Sequence, residues 1–134
     1  MSNVVLDASA VLALIQGEPG GERVEALLDA MEFSTDGKVA ICSVNWCEVL
    51  TRTMRDNDGM TAQELTAVLS GVELVPFGQG HAEVAAGYAQ FNQALSLGDR
   101  ACLALAKTLG ATAWTAERLW SRIPLDVPIE LIRD

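Results

Sequence analysis

Val4-Val5-Leu6-Asp7-Ala8-Ser9-Ala10 changes character at a single residue. The apolar triplet is the run expected of a strand buried on both faces of a parallel sheet. Asp7 stops it, and the Ala- and Leu-rich residues 8–16 read as a helix ended by Gly17. A strand passing straight into a helix is the unit of an α/β fold, and the unit recurs along the chain. Past the breakers Glu18-Pro19-Gly20-Gly21, a helix over about residues 22–31 carries Val24, Leu27, Leu28 and Met31 on one face, and residues 38–42 read as the second strand. Ser43 is expected to cap a helix running to about Asp56, Asn57-Asp58-Gly59 to make a turn, and Thr61-Ala62-Gln63-Glu64 to form a capping box for a helix ending at Gly71. Residues 72–75 read as a strand, and residues 81–94 and 99–109 as helices. The second of these helices is apolar on nearly all sides, so its place is central. Residues 111–115 and 128–132 are the last strands, with a short helix over 117–121 between them. The alternation predicts an α/β fold around a central parallel sheet. No repeat or linker divides the chain, so residues 1–134 are expected to form a single domain.

Half of the 134 residues are apolar, enough for one self-sufficient core. Cys42, Cys47 and Cys102 form no C-x-x-C pair and leave an odd thiol, which points away from a disulfide scaffold or zinc ribbon and toward a reducing, cytoplasmic location. No basic segment precedes Val4 and no apolar stretch approaches the roughly 18 residues of a membrane helix, so neither a signal peptide nor membrane association is expected. Lys and Arg number 9 against 18 Asp and Glu, a net charge of -9. That field opposes non-specific binding to nucleic acid or anionic lipid, so a polyanionic substrate would need a local basic patch.

Ligands of open parallel sheets bind outside the carboxyl ends of the strands, and four acids lie near such edges. Asp7 follows the first strand, Glu48 lies on the helix after the second, Asp99 opens the central helix, and Glu117 follows the strand containing Trp114. Each has a plainer role open to it. Asp7 and Asp99 could be N-caps, Glu48 the i,i+4 partner of Arg52, and Glu117 a favourable charge at a helix N-terminus. If the edges converge, however, each pair of carboxylates about 5 Å apart repels by on the order of 3 kcal/mol at an effective dielectric near 20. A hard divalent cation such as magnesium or manganese would relieve that repulsion and could activate water. The helix after the second strand sharpens the case, with Asn45, Glu48, Arg52 and Arg55 on one polar stripe opposite Val44, Cys47, Leu50 and Met54.

Arg52, Arg55, Arg100, Arg118 and Arg122 all lie beside a proposed acid or within two helical turns of one, offering RNA a local foothold or else neutralising those acids. Trp46 and Trp120 could stack on unpaired bases or belong to the core or a dimer contact. His81 is the only histidine, which excludes two-histidine ribonuclease chemistry and a histidine-built zinc site. There is no G-x-S-x-G elbow, no dinucleotide fingerprint and no phosphate-binding G-x-x-x-x-G-K-[ST] loop.

Four stretches in order resemble the motifs of PIN-domain ribonucleases, and most closely the VapC toxins of bacterial type II toxin–antitoxin pairs. They are Val5-Leu6-Asp7-Ala8-Ser9-Ala10, Ser43-Val44-Asn45-Trp46-Cys47-Glu48-Val49, Leu97-Gly98-Asp99-Arg100-Ala101-Cys102-Leu103-Ala104-Leu105-Ala106 and Trp114-Thr115-Ala116-Glu117. The resemblance implies a three-layer α/β/α fold, a magnesium- or manganese-dependent endoribonuclease, a VapB-type antitoxin that blocks the site, and a homodimer. Asp7, Glu48 and Asp99 match the family's metal-binding acids, Asn45 a polar neighbour, and Ser9 and Thr115 hydroxyls beside the site. Glu117 stands where the family usually has aspartate. Arg52, Arg55, Arg100 and Arg118 are the candidate RNA contacts. Two other classes compete: a magnesium-binding phospho-acceptor signalling module, and a PIN-like component of a repressor complex that lacks catalytic activity. The first needs a lysine at the end of a late strand, whereas Lys38 precedes an early strand and Lys107 lies inside a helix.

Overall fold

Val4–Leu6 (β1) is the middle strand of a five-stranded sheet, with β2 (Val39–Cys42) on one side and β4 (Thr112–Thr115) on the other. The computed structural model describes residues 3–56, 59–91 and 94–134. β3 (Val72–Val75) and β5 (Ile129–Leu131) form the edges, giving the order β3-β2-β1-β4-β5 with every neighbouring pair parallel. Side chains alternate across the sheet. Val4, Leu6, Val39 and Ile41 pack against α1 (Ala8–Gln16) and α2 (Gly21–Glu32). Val5, Ala40, Cys42 and Ala113 pack on the other face against α6 (Leu97–Leu109) and Tyr88 of α5 (Gln79–Tyr88). The result is the expected three-layer α/β/α arrangement. In α6, Ala101, Cys102, Leu103, Ala104, Leu105 and Ala106 are all buried, so this helix is central as its composition predicts. Trp120 belongs to the same core, and Trp46 packs half-buried on the opposite face.

Local chemistry explains the joints. Gly20 has φ 93, and a Cβ there would lie 2.7 Å from the Ile132 carbonyl oxygen. At Gly21 a Cβ would overlap the Ala13 carbonyl, so the pair is what lets α2 fold back against α1. The capping box at Thr61 and Glu64 forms as expected and opens α4 (Ala62–Val68), which stops short of Gly71. Ser43 does not cap: it is the first residue of α3 (Ser43–Arg55), and its hydroxyl accepts the Phe77 amide at 3.0 Å, tying the helix to the chain beyond β3. α5 starts earlier than expected because His81 Nδ1 accepts the Gly78 amide at 3.0 Å, and it ends at Tyr88 with no glycine or proline marking the stop. Residues 57 and 58 of the expected turn, and 92 and 93 of the expected longer helix, lie outside the described residues. The short helix after β4 is a 3₁₀ turn, Arg118–Arg122. No helix among the described residues is long and apolar enough to cross a membrane.

Candidate active site

From β1 the chain builds outward through β2 and β3, then returns to the other side of β1 to lay down β4 and β5. The carboxyl ends of β1 and β4 therefore flank the point where the winding reverses, the place where open sheets bind ligands. The Asp7 amide donates to the Trp114 carbonyl at 2.9 Å, holding the two strand ends together.

Asp7 takes the N-cap position of α1 but does not cap it. Its carboxylate, only 4% exposed, turns to two hydroxyls instead. Ser9 donates to Asp7 Oδ2 at 2.6 Å and Thr115 donates to the same oxygen at 2.9 Å. Each hydroxyl in turn accepts an amide of the turn after β4, Ser9 from Ala116 at 2.9 Å and Thr115 from Glu117 at 3.0 Å. Both hydroxyl protons are thus directed at Asp7, and backbone fixes both oxygens. Burial pushes the Asp7 carboxyl up to about 7, against the pull of these two hydrogen bonds, and the charges of Asp99 and Glu48 push the same way.

Glu48 projects from α3. Its carboxyl is raised above the usual range by burial and by Asp99, while a hydrogen bond from Asn45 and the more distant Arg52 oppose the shift. The Glu48–Arg52 pair open on sequence grounds does not form; Arg52 Nε lies 3.8 Å from Asp56 Oδ2. Fully buried Asn45 donates through Nδ2 to Glu48 Oε1 at 3.1 Å and to the Gly98 carbonyl at 3.0 Å, and its Oδ1 has no partner. Asp99 keeps part of its plainer role. It is the third residue of α6 in a capping box with Ser96, its Oδ2 accepting the Ser96 amide at 2.9 Å. Glu117 precedes the 3₁₀ turn without capping it.

All four predicted acids line one cleft of about 300 Å³, together with Ser9, Thr51, Cys47 and the two arginines Arg52 and Arg55. Arg100 and Arg118 do not line it, and Arg100 Nη1 points at the Ala85 carbonyl of α5, 3.4 Å away. Among the described residues none of the four acids forms an ion pair. Nor does any group of three or more His, Cys, Asp or Glu there form a ready metal cluster. A larger cleft of about 520 Å³, lined by Lys38, Val39, Gly71 and Glu73, lies at the amino ends of β2 and β3, away from the strand ends that carry the acids.

One expectation for α3 is overturned. Asn45, Val49 and Thr53 form the buried face, whereas Cys47 is exposed and Met54 is 78% exposed. The helix packs against α1 and α6, and two polar side chains of the inner face find partners, Thr53 on the Val49 carbonyl at 2.8 Å and Asn45 through its Nδ2. Sequence reasoning misses Cys47 and Thr51 as cleft residues for this reason, although both stand within one turn of Glu48.

The PIN domain family model matches residues 4–125. Among solved structures, the chain is similar to a toxin–antitoxin complex from Klebsiella pneumoniae, with a TM-score of 0.71 and 18% identity over 98% of each chain. It is similar to FitAcB from Neisseria gonorrhoeae with a TM-score of 0.69 and 18% identity, covering 96% of this chain and 97% of that one. It is also similar to VapBC2 from Rickettsia felis bound to a DNA fragment from its promoter, with a TM-score of 0.65 and 18% identity over 96% and 97%. No protein of curated function matches the sequence. Identities this low carry the fold alone, but the family model spans the chain from β1 past the 3₁₀ turn and takes in all four acids: the chain belongs to the PIN domain family.

Proposed function

We propose that this chain is a magnesium- or manganese-dependent endoribonuclease, the toxin of a toxin–antitoxin pair. The observation that carries the reading is Asp7: a buried carboxylate with no cation beside it, fixed by two hydroxyls at the sheet's switch point and facing a cleft shared with three more acids. The carboxylate oxygens at its centre fit a hard divalent ion. When bound, such an ion supplies water activation and offsets the charge of a phosphodiester.

Asp7, Glu48 and Asp99 would hold it. Ser9 and Thr115 orient Asp7, and Asn45 orients Glu48, which fixes two of the carboxylates before any ligand arrives. Glu117, exposed at the cleft edge and one methylene longer than aspartate, would act through water. Arg52 and Arg55 flank the acids and would take the RNA backbone, whereas Arg100, turned to the Ala85 carbonyl, and Arg118, outside the cleft, gain no support as RNA contacts. Several structural relatives are toxin–antitoxin complexes, two of them with DNA, which supports a VapB-type antitoxin as the partner. The family resemblance supports a homodimer, the odd, unpaired cysteines a cytoplasmic location, and the chain length without linkers a single domain. The phospho-acceptor reading loses support, because Lys38 lies at the amino end of β2 and Lys107 donates to Asp126 at 2.6 Å; neither lines the acidic cleft.

RNA cleavage by the purified chain, measured across a manganese titration, tests the reading. Activity should vanish with EDTA and in Asp7→Asn. Glu117→Gln should lose about 10–100-fold, while Asp99→Asn falls below detection. Cleavage that survives EDTA or Asp7→Asn would sink the nuclease assignment. Growth arrest that no neighbouring reading frame relieves on co-expression would count against the antitoxin and leave the nuclease standing.

A further inference from the structure

Gly98 sits in the first turn of α6, with both neighbours in helix, a position where alanine is ordinarily the better residue. Its backbone is not in the left-handed region, so no turn explains it. What its missing side chain admits is another residue's carboxylate. A Cβ built on Gly98 would overlap Glu48 Oε1 and lie 2.7 Å from Glu48 Cδ. The helical glycines Gly80 and Gly87 of α5 differ, since a Cβ at either meets nothing within 4 Å. Gly98 is itself buried, and its carbonyl accepts Asn45 Nδ2, the same nitrogen that donates to Glu48 Oε1. One amide nitrogen therefore bridges the carboxylate and the Gly98 carbonyl, and the bare backbone of Gly98 leaves the room the carboxylate occupies.

We propose that Gly98 is a positioning residue for Glu48: its lack of a side chain seats the Glu48 carboxylate on the first turn of α6, directly beside Asp99. The proposal rests on the metal reading above for its functional consequence, but the seat itself is a property of the protein alone. In Gly98→Ala the atom that meets the new methyl is the far end of a flexible side chain, not backbone. The fold is kept and the carboxylate moves. Because alanine favours the helix, the variant should melt at or above the wild-type temperature, which separates loss of position from loss of structure.

Crystal structures of metal-free wild type and Gly98→Ala test the seat. The carboxylate should leave Asn45 Nδ2 in the variant, and a Glu48 side chain unmoved there overturns the proposal. Calorimetry with manganese then reads the consequence. Gly98→Ala should bind about 10–100-fold more weakly, the range expected when a metal ligand is no longer held in place, with Gly87→Ala unchanged. Glu48→Asp withdraws the carboxylate from the methyl's reach, so adding Gly98→Ala to it should cause little further loss. Wild-type affinity in Gly98→Ala, or additive losses in the double variant, overturns the positioning role. Failure of the wild type itself to bind manganese would refute the metal reading instead, and the seat would then stand or fall on the crystal structures.

Discussion

Burial brings the Asp7 carboxyl to about its half-protonated point at neutral pH, and that shift has a measurable sign. Its carboxyl titrates near 7 in the folded protein against an ordinary value of 3.8, chiefly because it is buried. Between those two values the folded form keeps a proton that the unfolded chain has released. The stability tied to this group is therefore complete below about pH 4, declines as pH rises to about 7, and is flat above. Asp7→Asn removes the charge and keeps the shape. In chelator, its melting temperature should exceed the wild type's at pH 8, by an amount on the order of a few kcal/mol in stability, and the gap should close toward pH 4. A gap that is constant with pH would mean that Asp7 is ionised in the fold at ordinary acidity. The sequence carried the identity of Asp7 through its place at the end of an apolar triplet, but it could not show that two hydroxyls share one of its oxygens. Thr115 is 108 residues away, and only the closed sheet brings it there.

At the scale of the element, α3 is where pattern reading fails and where the cleft gets its basic edge. The sequence sets Val44, Cys47, Leu50 and Met54 opposite a polar stripe, yet the residues the helix turns to the interior are Asn45, Val49 and Thr53. Periodicity locates a stripe, but which stripe faces the core depends on what the neighbouring helix offers. Here α6 offers the Gly98 carbonyl, an acceptor that rewards a buried amide. Terminus signals were legible at Thr61 and Gly110, where capping is settled within a few residues, but not at Ser43 or at either end of α5. The outward direction of Arg52 and Arg55 is what makes them testable. The exposed Arg52–Asp56 pair is worth about 0.3–0.5 kcal/mol, so replacing both arginines with glutamate should leave the circular dichroism spectrum unchanged and stability nearly so. RNA affinity should fall, and its salt slope should flatten by about 0.7 for each phosphate that is no longer neutralised. An unaltered slope would assign both residues to structure.

For the whole molecule, the parallel sheet was legible because strand and helix alternate so regularly, whereas the three layers came from the family resemblance and the convergence of the acids stayed conditional until the fold placed them in one cleft. The sheet order was not, since adjacency in sequence says nothing about which side of β1 receives β4. That order gives the molecule a clock. β1 leaves the ribosome before the other four strands of the sheet, yet it gains its second neighbour only when residues 112–115 have followed, and Asp7 meets Thr115 only then. A nascent chain therefore carries Asp7 without its Thr115 partner until β4 has been made, and on the nuclease reading proposed above it has no complete centre before then. Chains arrested with β4 still inside the exit tunnel should leave RNA intact, whereas chains arrested with all 134 residues exposed should cut it. Cleavage by the shorter chains would show that the centre forms without β4. On the nuclease reading proposed above, the chain would be harmless to its own ribosome until β4 is made.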